Sequence, residues 1–188
     1  MPRVGGGTMI GDGINEPPRL IFITGFMGAG KTTIARELAR LLNYHAIDLD
    51  ELITDRQNRT PGEIIEQSGE DEFRRIETET LRQILSEQAG DSAGNVIALG
   101  GGAWIAPENR RLIDERQSST VWLDAPFELC WQRIEASGTP RPLGRTREVA
   151  AQRYRERLPA YSLAQIRIMI GLLETTTEIV RRIKTALT

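Results

Sequence analysis

The sequence predicts a three-layer α/β fold, a five-stranded parallel sheet covered by helices on both faces. Three observations carry this expectation. Short apolar runs of strand length alternate along the chain with longer segments of helical period. The first run leads directly into a glycine-rich loop and a helix. Chemistry-bearing residues fall where strands would end, at Gly25 to Thr33, at Asp48 and Asp50, and at Gly100 to Gly102.

The elements follow in order. Residues 20–23 are a continuous apolar run, as a strand buried on both faces should be. After the glycine loop, Ile34, Leu38, Leu41 and Leu42 recur at helical spacing. Residues 46–50 read as a second strand whose end carries Asp48 and Asp50, and a turn and helix fill 51–57. Thr60, Pro61 and Glu63 make a helix start with a capping box, and Gly69 ends that helix. A longer helix over 70–88 sets Phe73, Ile76, Leu81, Ile84 and Leu85 largely on one side, and 90–94 is a loop.

Residues 95–99 are the third strand, running into Gly100 to Gly102. Pro107 opens a polar helix to about residue 116, and 120–123 is the fourth strand. Pro126 starts a helix carrying Leu129, Cys130 and Ile134. Residues 137–147 hold Gly138, Pro140, Pro142 and Gly144 without periodicity, so they form a loop. A basic helix over 148–158 is interrupted at Pro159, and 166–170 is the fifth strand. Thr175 with Glu178 is a second capping box, opening a last helix to residue 186.

Composition narrows the function. At 188 residues the expectation is one domain over 19–188, behind a flexible extension over 1–18. A net charge of -2 argues against nucleic acid or an anionic membrane as the partner. Cys130 and His45 are each the only residue of their type, which removes disulfide frameworks and thiolate or histidine metal clusters. His45 is expected to be structural or on the surface. No apolar run reaches membrane-spanning length, and the N-terminus lacks a signal-peptide core, so the cytoplasm is the expected compartment. No internal repeat or second domain is visible.

The glycine loop carries the chemistry. Gly25, Gly30, Lys31 and Thr32 satisfy the phosphate-loop pattern, Gly-x-x-x-x-Gly-Lys-Thr, between a strand and a helix. The backbone from Gly28 and Ala29 through Gly30, Lys31, Thr32 and Thr33 can turn its N–H groups onto the phosphates of ATP. Lys31 is one of only two lysines, the other being Lys184, and adds a mobile charge for the terminal phosphates. The Thr32 hydroxyl is a ligand for Mg²⁺. A guanine-nucleotide switch would need an Asn-Lys-x-Asp motif, which neither lysine supplies, and the Asp-x-x-Gly match at 91–94 precedes a strand instead of following one.

What remains suits phosphoryl transfer to a small acceptor. Of Asp48 and Asp50, one carboxylate would hold Mg²⁺ through water and the other accept the acceptor's proton. Gly100 to Gly102 allows a backbone to approach a ligand closely. Arg141 sits in the Pro/Gly loop, as a lid arginine would, and Arg153 and Arg157 share one helix face. The residues alone specify a small-molecule kinase with an anionic acceptor.

Gly25 to Thr33, Asp48-Leu-Asp50, the run from Gly69 to Glu77 containing Phe73 and Arg74, Leu99 to Ala103, Arg141 to Leu143 and Arg157 to Tyr161 together resemble the shikimate kinases in order and spacing. The resemblance covers about residues 19–187. It implies a P-loop kinase fold with an acceptor-binding segment near 50–80 and a lid over 137–147. It implies transfer of the ATP γ-phosphate to the 3-hydroxyl of shikimate, in aromatic amino-acid biosynthesis, by a Mg²⁺-dependent monomer. Carried over, Lys31 is the phosphate-binding lysine, Thr32 and Asp48 the Mg²⁺ positions, and Asp50 the hydroxyl-binding aspartate and candidate base. Arg74 and Arg157 grip the shikimate carboxylate, Phe73 is a wall for the ring or a core residue, and the Gly100, Gly101 and Gly102 backbone closes on the ring. Arg141 is the lid arginine and Arg133 an adenine-side arginine. Glu77, one turn after Arg74, is placed to fix its guanidinium. The family commonly has Thr where Leu49 stands, a smaller aliphatic at Trp104 and Leu at Ala160, and Trp104 bears on acceptor fit. The rivals are a P-loop sugar-acid kinase, such as a gluconate kinase, and a non-catalytic nucleotide-binding regulator.

Overall fold

The run at 20–23 forms the middle of the sheet. β1 (Leu20–Thr24) lies between β3 (Asn95–Ala98) and β4 (Ser118–Asp124), with β2 (His45–Asp48) and β5 (Ile166–Met169) at the edges. All four pairings are parallel, and Leu20 is in register with both Asn95 and Ser118. Ile21, Phe22 and Ile23 have no exposed surface, which is why this strand needs no polar alternation. The computed structural model describes residues 17–87, 93–137 and 146–188.

Eight α-helices flank the sheet among the described residues: α1 (Lys31–Leu42), α2 (Leu49–Gln57), α3 (Pro61–Ser68), α4 (Glu70–Glu87), α5 (Pro107–Asp114), α6 (Phe127–Ser137), α7 (Arg147–Tyr161) and α8 (Thr176–Leu187). A 3₁₀ turn at Ala103–Ile105 follows β3. The strand order fixes the layers, because crossovers between parallel strands are right-handed. The chain leaves β1 toward β2 and leaves β3 in the opposite direction, toward β4. Helix α1, which packs on α8, therefore covers one face, and α4 and α5, which pack on each other, cover the other. The carboxyl ends of β1 and β3 are neighbours whose chains part to opposite faces, and the crevice between them is the place for a ligand.

Local signals account for most boundaries. Both capping boxes are present, Thr60 with Glu63 and Thr175 with Glu178. In α4, Phe73, Ile76, Leu81, Ile84 and Leu85 are buried as the spacing predicts. Two expectations are corrected. The second strand does not reach Asp50: it ends at Asp48, whose carboxylate accepts from the Asp50 and Glu51 N–H groups and so starts α2 at Leu49. Pro159 does not interrupt α7, which runs through it to Tyr161. One missing N–H is tolerated there because the helix ends within a turn and Ser162 N–H still reaches the Leu158 carbonyl. Leu41 is exposed, and the inward stripe of α1 is Ile34, Ala35, Leu38 and Ala39. His45 is exposed at the start of β2. The expected lid with Arg141 and the expected extension lie, for residues 138–145 and 1–16, outside the described residues.

Candidate active site

At the end of β1 the chain turns through the phosphate loop and enters α1 at Lys31, with Gly30 as its N-cap at φ 94°. Gly28 has φ 78°, and a Cβ there would lie 2.5 Å from the Cys130 carbonyl oxygen, so α6 can pass behind the loop only because this residue is glycine. Lys31 Nζ donates to the Phe26 carbonyl at 3.1 Å, within its own loop. The Arg133 guanidinium comes from α6 and donates to the Gly28 and Ala29 carbonyls at 3.2 and 3.4 Å. The expected adenine-side arginine therefore lies against the back of the loop. Burial pushes the Cys130 thiol up to about 11, so it is held as an inert neutral group.

The two expected metal positions meet. The Thr32 hydroxyl donates to Asp48 Oδ2 at 2.5 Å, while Oδ1 of the same carboxylate caps α2. One aspartate thus joins the first turn of α1 to the first turn of α2. The pair offers hard oxygens at the edge of the phosphate loop, which suits Mg²⁺. No group of three or more His, Cys, Asp or Glu side chains able to hold a metal occurs among the described residues.

The expected acceptor side is built around the three glycines after β3. A Cβ at Gly100 would come within 2.6 Å of Asp50 Oδ1 and 2.9 Å of Glu77 Oε1, so two carboxylates close on this one residue. A Cβ at Gly102 would overlap the Arg74 guanidinium. Arg157, only 9% exposed, donates from Nη1 to the Gly101 carbonyl at 2.8 Å. Arginines from α4 and α7 thus meet neighbouring residues of one turn, with Asp50 and Glu77 against the residue before. Arg74 is held by Glu77 Oε2 at 2.8 Å and Glu70 Oε1 at 3.0 Å, and its guanidinium lies 5.1 Å from the centre of the Phe73 ring. Phe73 itself is 4% exposed and belongs to the core.

Glu77 is fully buried. Burial raises its carboxyl to about 7 against the pull of Arg74, and neighbouring Asp50 pushes in the same direction as burial. Its Oε1 has no hydrogen-bond partner within the described protein. Three further sets of contacts hold this turn that the sequence does not predict. Tyr161 donates its hydroxyl to the Gly101 carbonyl at 2.7 Å, beside Arg157. Its i, i+4 spacing from Arg157 was the available signal. Burial pushes the Tyr161 phenol up to about 12, so it stays a donor. Trp104 is 1% exposed and donates from Nε1 to the Ala160 carbonyl of α7 at 2.8 Å. From the other side, Asn109 and Arg110 of α5 donate to the Ala103, Trp104 and Ile105 carbonyls. The Tyr161–Gly101 and Trp104–Ala160 bonds join segments distant in the chain, which no single stretch encodes, whereas those from Asn109 and Arg110 reach back only five or six residues.

Among the described residues no helix is long and apolar enough to cross a membrane. The family model for shikimate kinase matches residues 27–188. A shikimate kinase of Geobacter sulfurreducens is 41% identical over 153 residues, covering 80% of this chain and 81% of that protein. The crystal structure of a shikimate kinase from Acinetobacter baumannii in complex with shikimate superposes with TM-score 0.79 at 30% identity, over 92% of this chain and 94% of that one. A gluconokinase from Sinorhizobium meliloti shares the fold alone, with TM-score 0.63 at 20% identity over 90% of this chain and 91% of that one.

Proposed function

Because this chain belongs to the shikimate kinase family, we propose a division of labour among its residues for the ATP-dependent phosphorylation of the shikimate 3-hydroxyl, giving shikimate 3-phosphate and ADP. The phosphate loop from Gly28 to Thr33 binds the ATP phosphates through its N–H groups, and Lys31 moves from the Phe26 carbonyl to the terminal phosphate. Arg74 and Arg157 take the shikimate carboxylate, for which planar forks are suited. The Gly101 and Gly102 backbone lies along the ring, with Phe73 as a wall beneath Arg74. Asp50 accepts the proton of the 3-hydroxyl as its oxygen bonds to the γ-phosphorus and the bond to the β–γ bridging oxygen breaks. Glu77 holds Arg74 in place.

Thr32 and Asp48 would hold Mg²⁺, Asp48 through water, and the ion would neutralise charge on the β- and γ-phosphate oxygens. Arg141, outside the described residues, enters this reading as the lid arginine on the resemblance alone, and Arg133 as the adenine-side arginine. The reading includes a monomer, in the cytoplasm, with 19–188 as one kinase domain.

The observation that carries it is the meeting of Arg74 and Arg157 at Gly102 and Gly101, beside Asp50 at Gly100. Two cations fixed across a short turn from a carboxylate describe an acceptor with an anionic end and a hydroxyl end. The test is ADP release from MgATP with shikimate, with gluconate or with no acceptor, using Lys31→Ala as the blank. Shikimate-dependent release lost in the variant is expected. Turnover of gluconate alone would overturn the arginine assignments, and ATP binding without turnover would favour a regulator.

A further inference from the structure

The turn after β3 and the end of α7 are tied together at two carbonyls. Gly101 C=O accepts from both Arg157 Nη1, at 2.8 Å, and the Tyr161 hydroxyl, at 2.7 Å. In the opposite sense, Trp104 Nε1 donates to Ala160 C=O at 2.8 Å. Trp104 and Tyr161 are both buried, and the Tyr161 ring stacks on Trp122 of β4 with centroids 6.2 Å apart. The tie falls where α7 is least able to hold itself. Pro159 has no N–H, so the carbonyl four residues earlier loses its helical donor, although the Leu158, Ala160 and Tyr161 carbonyls beyond it are capped by the N–H groups of Ser162, Leu163 and Ala164. The turn, by contrast, is anchored from α5 through Asn109 and Arg110.

We propose that Trp104 and Tyr161 are positioning residues for Arg157: they hold the weak end of α7 onto the anchored turn, so that its guanidinium is set beside Gly101 before the acceptor arrives. Neither side chain touches the acceptor. This rests on the reading that Arg157 binds the acceptor carboxylate. A fixed guanidinium binds without first losing side-chain and helix-end freedom, so loosening the tie weakens acceptor binding and leaves the phosphate loop untouched.

Steady-state kinetics of the full chain with Trp104→Phe, Tyr161→Phe, Arg157→Lys and the pairwise combinations tests this. Trp104→Phe removes the N–H and keeps a ring, and Tyr161→Phe removes only the hydroxyl, so each serves if the other fails to fold. Loss of one such bond should raise the shikimate KM about fivefold. The KM for MgATP should stay within about twofold in both variants. Neither substitution should add to the effect of Arg157→Lys, because all three act through one guanidinium. General destabilisation would instead lower the active fraction, and with it the maximal rate, at unchanged KM. Full additivity with Arg157→Lys, or equal rises in both KM values, would overturn the proposal. If Arg157→Lys itself leaves the shikimate KM unchanged, the carboxylate reading fails. If only Trp104→Phe and Tyr161→Phe leave it unchanged, the positioning role alone fails.

Discussion

Arg74 and Glu77 form an ion pair of 2.8 Å in which the carboxylate partner is fully buried and the guanidinium is partly exposed. The carboxylate is thus spent on orienting a cation at the mouth of the crevice. Burial lifts the Glu77 carboxyl from 4.5 to about 7. Between those values the native state holds a proton that the unfolded chain has released, so this group's contribution to stability falls as pH rises and levels off above about 7. Glu77→Gln removes the titration. The stability difference between wild type and variant should change by up to about 3 kcal/mol across that window. Urea midpoints of both proteins at a series of pH values would show it, and parallel profiles would refute it.

Arg74→Lys keeps the charge and loses the fork. The KM for shikimate should rise about tenfold or more, since a charge-assisted pair is reduced to a point contact, and the KM for MgATP should change little. Equal effects on both substrates would remove Arg74 from the acceptor site.

Gly102→Ala should reproduce part of that lesion without touching a charge. Gly102 has φ -111°, which alanine adopts freely, so the backbone is not strained. The three atoms nearest the added methyl all belong to the far end of Arg74, a flexible side chain able to swing away. The fold should survive with stability within about 1 kcal/mol of wild type, whereas the shikimate KM should rise. Calorimetry beside steady-state kinetics separates the two, and an unchanged KM would place Arg74 elsewhere when acceptor is bound.

Asp48 has two duties that substitution can separate. Asparagine caps a helix about as well as aspartate, so Asp48→Asn should keep α2 and its melting temperature while raising the Mg²⁺ concentration needed for half-maximal ADP release. Asp48→Ala should raise that Mg²⁺ concentration too, and also lose about 1 kcal/mol of stability from the missing cap. A Mg²⁺ titration identical in wild type and Asp48→Asn would rule out a role near the ion.

Much of this protein is written locally. The run at 20–23, the loop from Gly25 to Thr33 and the capping boxes at Thr60 and Thr175 each depend on neighbours within a few residues, and each forms as its spacing requires. The pairing of Arg74 with Glu77 is equally local, one helical turn. Asp50 stands in a helix where the sequence predicts strand, because alternation alone cannot sense that the Asp48 side chain captures the Asp50 and Glu51 N–H groups and starts a helix. Pro159 predicts a break only in a helix interior, and near the end of α7 it is tolerated.

The alternation of elements, the phosphate loop and the residue types suited to ATP and an anionic acceptor are legible along the chain. Which of them meet depends on how whole elements pack. The strand order brings the ends of β1 and β3 side by side, and with them the phosphate loop and the glycine turn. Burial then fixes what the turn can carry: Glu77 without solvent, Arg157 on Gly101, and Trp104 on the Ala160 carbonyl of α7. These are contacts across long separations, set by the packing of whole elements, and no period or motif in one stretch of chain encodes them.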